Sequence, residues 1–248
     1  MKRNLLAYNK YTLNKLTGSV SPSLRLFSAN KILILFISFL IVAVVNAQEN
    51  KTSDPAYIKI ITERSAKIVN TLSIKDSVQY KNVLAVLVNQ YNSINNIHEE
   101  TKLALAAIKQ QSITAQESAL QVQKQEEKKV AQLQQLHNSF LAGLQKVISE
   151  EQIELVKNGM TYNVLNVTYT AYLDMIPTLK EDQKKKIYEW LTEARELAMD
   201  GESSDKKHAI FGKYKGRINN YLSAAGYDLT KEREEWQKRI KAKQESSK

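Results

Sequence analysis

The sequence predicts an all-α protein, a single-domain helical bundle with a long antiparallel helical hairpin. Three observations point there. Breakers are scarce: of only three prolines, Pro55 and Pro177 are the last two, and between them the only glycines are Gly143 and Gly159. A chain without such punctuation favours long helices. Apolar residues recur at spacings of three and four instead of alternating. Helix-start signatures precede the periodic runs, Asp54-Pro55 and Ser149-Glu150-Glu151-Gln152 among them.

Residues 1–47 are expected to be a secretory signal peptide. Ile32 to Val45 is apolar apart from Ser38, Arg25 and Lys31 precede it, and Val45-Asn46-Ala47 offers small or apolar residues before a cut at Gln48. Those are the basic flank, short apolar core and cleavage site of a leader. The alternative, a membrane span, needs roughly 20 apolar residues, and this run has 14. The chain contains no cysteine, so neither a lipoprotein anchor nor a disulfide framework is expected. Cleavage leaves residues 48–248 as one all-helical domain with no integral membrane span, exported to the periplasm or beyond.

A first helix is predicted from about 55 to 72, with Tyr57, Ile60, Ile61, Ile68 and Leu72 on one face. Asp76 caps a second, carrying Val83, Leu84, Leu87, Tyr91, Ile94 and Ile97 and reaching Ile108. A third runs from about 114 to 148 on a stripe of Val130, Leu133, Leu136 or His137, Phe140, Leu144 and Val147. At ~1.5 Å per residue it extends about 50 Å, so the 76–148 hairpin is expected to project beyond the core and to offer itself to a protein partner. Ser149 and Gln152 open a short helix ending near Gly159. Residues 161–173 favour strand by composition, but Leu165, Tyr169, Tyr172 and Ile176 keep helical spacing, giving a loop followed by a helix. Thr178 with Glu181 is expected to cap the next helix, which ends at Met199. Ser203 or Ser204 caps another that ends at Gly226, and a charged helix closes the chain at about 230–243.

Charge is unevenly placed. The whole chain carries a formal +10, yet residues 1–47 supply six Lys/Arg and no acid, which leaves a net of only +4 beyond them. That is too weak to indicate a nucleic-acid partner. Residues 206–248 hold 12 basic and 5 acidic side chains, so the positive charge gathers at the C-terminal end.

The stretch HAIFGKYKGRINNYLSAAGYD, residues 208–228, resembles a phosphate loop but lacks the G-x-x-x-x-G-K-[ST] order. On a helical wheel Phe211, Tyr214, Ile218, Tyr221, Leu222 and Ala225 form the core face. Ala209, Gly212, Gly216, Asn219, Asn220 and Ser223 form the opposite face. His208 and Lys215 border it on one side, Lys213 and Arg217 on the other. Either another helix packs on the glycine strip, or a ligand lies there, held by Lys213, Lys215 and Arg217 through charge and by Asn219 and Asn220 through hydrogen bonds.

GMTYNVLNVTYTAYLDMIP (159–177), WLTEAREL followed by AMD (190–200) and KHAIFGKYKGRINNYLSAAGYDL (207–229) resemble an uncharacterised family of exported Bacteroidota proteins, a domain of unknown function. The resemblance spans about residues 54–243. It implies a companion of polysaccharide-utilisation systems with a suspected role in sugar binding. It supplies no catalytic residues. The matching positions are Tyr162, Tyr169, Tyr172, Asp174, Arg195, His208, Lys213, Lys215, Arg217, Asn219 and Asn220.

Three function classes remain. Seven of twelve tyrosines lie between 162 and 227. Aromatic faces with polar handles suit sugars, and guanidinium forks suit the carboxylates of uronic acids. An acidic oligosaccharide is therefore the expected ligand, with His208, Lys213, Lys215, Arg217, Asn219, Asn220 and Tyr172 as candidate contacts. A lyase using Tyr214 or His208 as base with Arg217 or Lys213 beside it is the enzymatic alternative. The core-face position of Tyr214 counts against it. Glu189, Glu193 and Glu196 have the spacing of one exposed helix face. A structural or partner-binding helical protein of the cell envelope is the third class. His98, His137 and His208, the only histidines, show no ligand spacing. No metal or cofactor is expected, and His98, beside Glu99-Glu100, is expected to be a solvated helix position.

Overall fold

The computed structural model describes residues 54–246, all within the compact unit Asn50–Lys248. The expected signal peptide, residues 1–47, lies outside the described residues. Among the described residues the fold is all-α, with eight helices and no strand. They are α1 (Pro55–Asn70), α2 (Ser77–Lys109), α3 (Ala115–Leu144), α4 (Glu150–Met160), α5 (Val164–Met175), α6 (Glu181–Met199), α7 (Ser204–Ala224) and α8 (Leu229–Ser246). No helix among them is long and apolar enough to cross a membrane.

Local chemistry sets most of the boundaries. Asp54 accepts from the Ala56 amide at 2.9 Å ahead of Pro55, and Asp76 accepts from the Gln79 amide at 2.6 Å. Thr114 with Glu117, and Ser149 with Gln152, form reciprocal capping boxes. Ser203 accepts from the Lys206 amide at 3.2 Å. At the far end of α7, Gly226 takes a left-handed φ of 95°, and the Tyr227 amide donates back to the Leu222 carbonyl at 3.1 Å. Glycine suits that position because it has no Cβ to clash.

Three expectations are corrected. Thr178 does not cap α6. Leu179 is buried, so the chain continues inward before turning, and the Lys180 amide donates to Gln183 Oε1 at 3.0 Å. Thr178 instead offers its carbonyl to the Tyr227 hydroxyl at 3.2 Å. Ile60 and Val130 are not core residues, being 54% and 43% exposed.

Two apolar clusters organise the chain. The first joins α1 to α4 through Ile61, Ile68, Leu87, Phe140, Leu144 and Val156, and Met199 of α6 enters it. The second joins α5, α6 and α7 through Leu165, Tyr172, Ile187, Leu191, Phe211, Ile218 and Leu222. Each such side chain contributes about 1.5–3 kcal/mol on burial. Within the first cluster α1 and α4 approach closely at Gly159, where an added Cβ would lie 2.9 Å from Ile68 Cγ1. The last helix buries no residue fully and packs against α5 and α7. Arg239 on α8 donates to the carbonyls of Asp174 and Met175 at 2.8 and 3.1 Å, satisfying the C-terminal end of α5.

Candidate functional site

Two polar regions stand out, and they differ in their charge balance. The first lies where α6 meets α2, α3 and α4. Arg195, 3% exposed, reaches Glu154 at 2.8 Å, Asn158 Oδ1 at 2.9 Å and Glu196 at 3.0 Å. Glu196 also meets Lys157 at 3.2 Å and His137 Nε2 at 3.4 Å. The other nitrogen of His137 faces Asp200 at 3.2 Å. His98 contacts the Asp200 carbonyl at 2.9 Å and Glu202 at 3.0 Å. His98 is thus no solvated helix position; its side chain is only 15% exposed. Glu196 likewise leaves the exposed face expected for it.

The protonation states follow from these contacts. Burial works against the charge on His137, but hydrogen bonds with Asp200 and Glu196 outweigh it and raise the pKa to about 9. Burial also opposes charge on Glu196, and His137, Lys157 and Arg195 overcome it, holding the carboxyl at about 2. Three carboxylates, Glu154, Glu196 and Asp200, therefore face Arg195, Lys157 and a protonated His137, with Glu202 against His98 beside them. Every charge in this seam has a partner, so it fastens the halves together and needs no ligand for balance.

Lys207 belongs to the same junction. It is 3% exposed, and its ammonium donates to the carbonyls of Met160 and Met199, the last residues of α4 and α6, at 3.2 and 3.1 Å. The Tyr91 ring lies 5.7 Å away. Burial pushes its pKa down to about 8; nearby Asp200 counters this and Arg64 adds to it.

The second region is the outer face of α7. Gly212 and Gly216 are exposed, and a Cβ built on either would meet nothing within 4 Å. No neighbouring helix covers the strip. Lys213 and Lys215 are exposed beside it, and their side chains make no ion pair or hydrogen bond among the described residues. Asn220 is exposed as well. Arg217 is partly committed: its guanidinium lies 4.4 Å from the Trp190 ring centroid and 3.8 Å from Glu193. At the N-terminal end of the strip the exposed His208 stacks on Tyr162, with centroids 5.6 Å apart and planes 11° from parallel.

Tyr172 and Asn219 lie together on the inner flank. The Tyr172 hydroxyl donates to Asn219 Oδ1 at 2.7 Å, and burial raises its pKa to about 12. Of the seven residues singled out from the sequence, His208, Lys213, Lys215, Arg217 and Asn220 are exposed along α7, whereas Tyr172 is buried. Tyr214 is half-buried against the second core cluster. Sequence reasoning missed the paired seam, whose members lie far apart in the chain. One signal was available: Arg195 falls among Leu191, Ala194 and Ala198 on the buried side of α6.

An open apolar groove, lined by Ile58, Thr62, Leu84 and Val88, runs between α1 and α2. Among the described residues no group of His, Asp and Glu is arranged to hold a metal ion.

Fold and surface together define a class: an all-α protein with an internally paired polar seam and an open, cationic helix face. The chain belongs to the family described as "Protein of unknown function (DUF3826)", which matches residues 58–242. A search of the curated proteins finds no match to the chain.

Proposed function

We propose that this is an exported protein of polysaccharide utilisation that binds an acidic, uronate-bearing oligosaccharide along the outer face of α7. One observation carries the reading: Lys213 and Lys215 stand exposed and unpaired on either side of an uncovered Gly212–Gly216 strip. Elsewhere the fold pairs its interior charges thoroughly, so unpaired cations beside a smooth backbone surface favour an anionic ligand. The bare backbone lets a chain-like ligand lie close, and Asn220 supplies amide hydrogen bonds to hydroxyls. The resemblance to exported proteins of polysaccharide utilisation supports the same direction.

The test is thermal unfolding with acidic pectic oligosaccharides. Saturation at about 100 times Kd adds ~2.7 kcal/mol, or roughly 5–10 °C for a domain of this size. The double variant Lys213→Ala/Lys215→Ala should lose that gain while melting normally without ligand. Unchanged melting of the native protein across acidic oligosaccharides refutes the proposal. A second reading, a structural protein that holds a partner through residues 76–148, is favoured by Leu103 and Leu120, which are 54% and 51% exposed on α2 and α3. Cross-links to another envelope protein that concentrate at residues 103–120 would support it.

A further inference from the structure

The cationic border of the α7 face does not stop at that helix. Lys213 and Arg217 are four residues apart, so they share one side of α7, about 6 Å from each other along its axis. From that side Arg217 meets α6. Its guanidinium lies over the Trp190 ring at 4.4 Å from the centroid, and Lys186 Nζ lies 5.3 Å from the same centroid. Lys186 stands one turn before Trp190 on α6. Both cations are tied to one ring, which keeps their charge centres within about 10 Å of each other.

Three features set this junction apart. The ring is a fixed platform: Trp190 is buried in the second core cluster, and Tyr221 packs against it with planes 88° apart and centroids 5.3 Å apart. The two cations keep their donors free. Among the described residues neither the Arg217 nor the Lys186 side chain donates a hydrogen bond. Their carboxylate neighbours hold them only loosely. Glu193 lies 3.8 Å from Arg217 and Glu189 3.6 Å from Lys186, the two longest ion pairs among the described residues, and all four side chains are exposed. In the seam, by contrast, Arg195 reaches Glu154 at 2.8 Å. Exposed pairs contribute little to stability, so an arriving carboxylate displaces Glu193 and Glu189 easily.

We propose that Arg217 and Lys186, gathered around Trp190, form a subsite for two carboxylates on neighbouring rings of an acidic oligosaccharide, Arg217 taking one and Lys186 the other. This deepens the α7 reading and rests on it: the ligand that follows the glycine strip passes Lys213 and continues across Arg217 onto α6. Arg217 meets its carboxylate as a fork of two parallel donors, which a lysine cannot reproduce. Lys186 acts as a point charge on a flexible stem. Trp190 touches neither carboxylate; it is the positioning residue that holds the guanidinium in place. Glu193 and Glu189 occupy the two cations until the ligand arrives, so they set its affinity by competing with it.

Titration calorimetry and tryptophan fluorescence of the purified protein with trigalacturonate test the subsite. In a Trp236→Phe background Trp190 is the only tryptophan, and the trimer should change its emission with the same Kd that calorimetry gives. Arg217→Lys keeps the charge but loses the fork, and should weaken the trimer about tenfold or more. Lys186→Gln should weaken it by a smaller factor. Glu193→Gln should raise the affinity, a direction that damage to the fold does not imitate. Native affinity in Arg217→Lys or in Lys186→Gln, no gain in Glu193→Gln, or calorimetric binding without a change in Trp190 emission overturns the subsite; loss of binding in Lys213→Ala/Lys215→Ala would meanwhile keep the α7 reading. Binding that survives that double variant but falls with Arg217→Lys supports the subsite and refutes the α7 reading. No binding of the trimer by the native protein overturns both.

Discussion

Replacing both Gly212 and Gly216 by alanine should make this protein more stable, and the size of the gain follows from the structure. Both lie inside α7, where glycine is about 1 kcal/mol less favourable than alanine because its backbone loses more freedom on ordering. Neither added methyl meets an atom within 4 Å, so no packing penalty offsets the gain. The two sites together should contribute about 2 kcal/mol. For a domain of this size that raises the melting temperature by roughly 4–8 °C. Urea unfolding followed by far-ultraviolet circular dichroism is the cleaner assay: the midpoint should rise while the slope stays constant. A double variant no more stable than the native protein, or one whose loss of stability depends on protein concentration, would refute the reasoning, because the strip would then be covered in solution. Two glycines kept where alanine is better for the helix violate local propensity without a structural gain, which is where function is to be sought.

A glycine of α4, Gly159, should respond in the opposite direction. Gly159→Ala drives a Cβ to 2.9 Å from Ile68 Cγ1, and Ile68 is only 6% exposed; the overpacking should cost about 1–3 kcal/mol, and Ile68→Ala in the same chain should remove most of that penalty in a double-mutant cycle. His137 should impose a pH dependence. Its folded pKa, about 9, exceeds the ordinary 6.5, so its contribution is complete below pH 6.5 and is lost as pH rises through 9. Urea titrations should show a decline on the order of 2–3 kcal/mol over that window, and His137→Gln should flatten it; equal slopes in the two proteins would contradict the seam geometry.

What the sequence revealed and concealed divides by range. Caps are local, so Asp54, Asp76 and the Ser149–Gln152 box marked helix starts that the structure reproduces. The loop-then-helix reading of 161–173 held because Leu165, Tyr172 and Ile176 are all buried on one side. Thr178 misled because a capping box is only a spacing, and burial of Leu179 moved the helix start to Glu181. The wheel placed Phe211, Ile218 and Leu222 inside and both glycines outside, as found. It gave no hint that Trp190 would lie under Arg217 or that Tyr172 would hold Asn219. In pairs such as His137 and Asp200, or His98 and Glu202, the histidine stands on a helix and the carboxylate in the distant connection between α6 and α7, and no periodicity within one helix encodes them.

The seam has a mechanical consequence. Directional contacts, unlike greasy ones, tolerate no sliding: shifting α6 by one turn would part Glu196 from His137, Lys157 from Glu196 and Arg195 from Glu154 together. The first four helices and the last four are thus locked at a single setting. Any residue of one block, Arg64 on α1 for example, therefore keeps a constant separation from any residue of the other, such as Lys215 on α7.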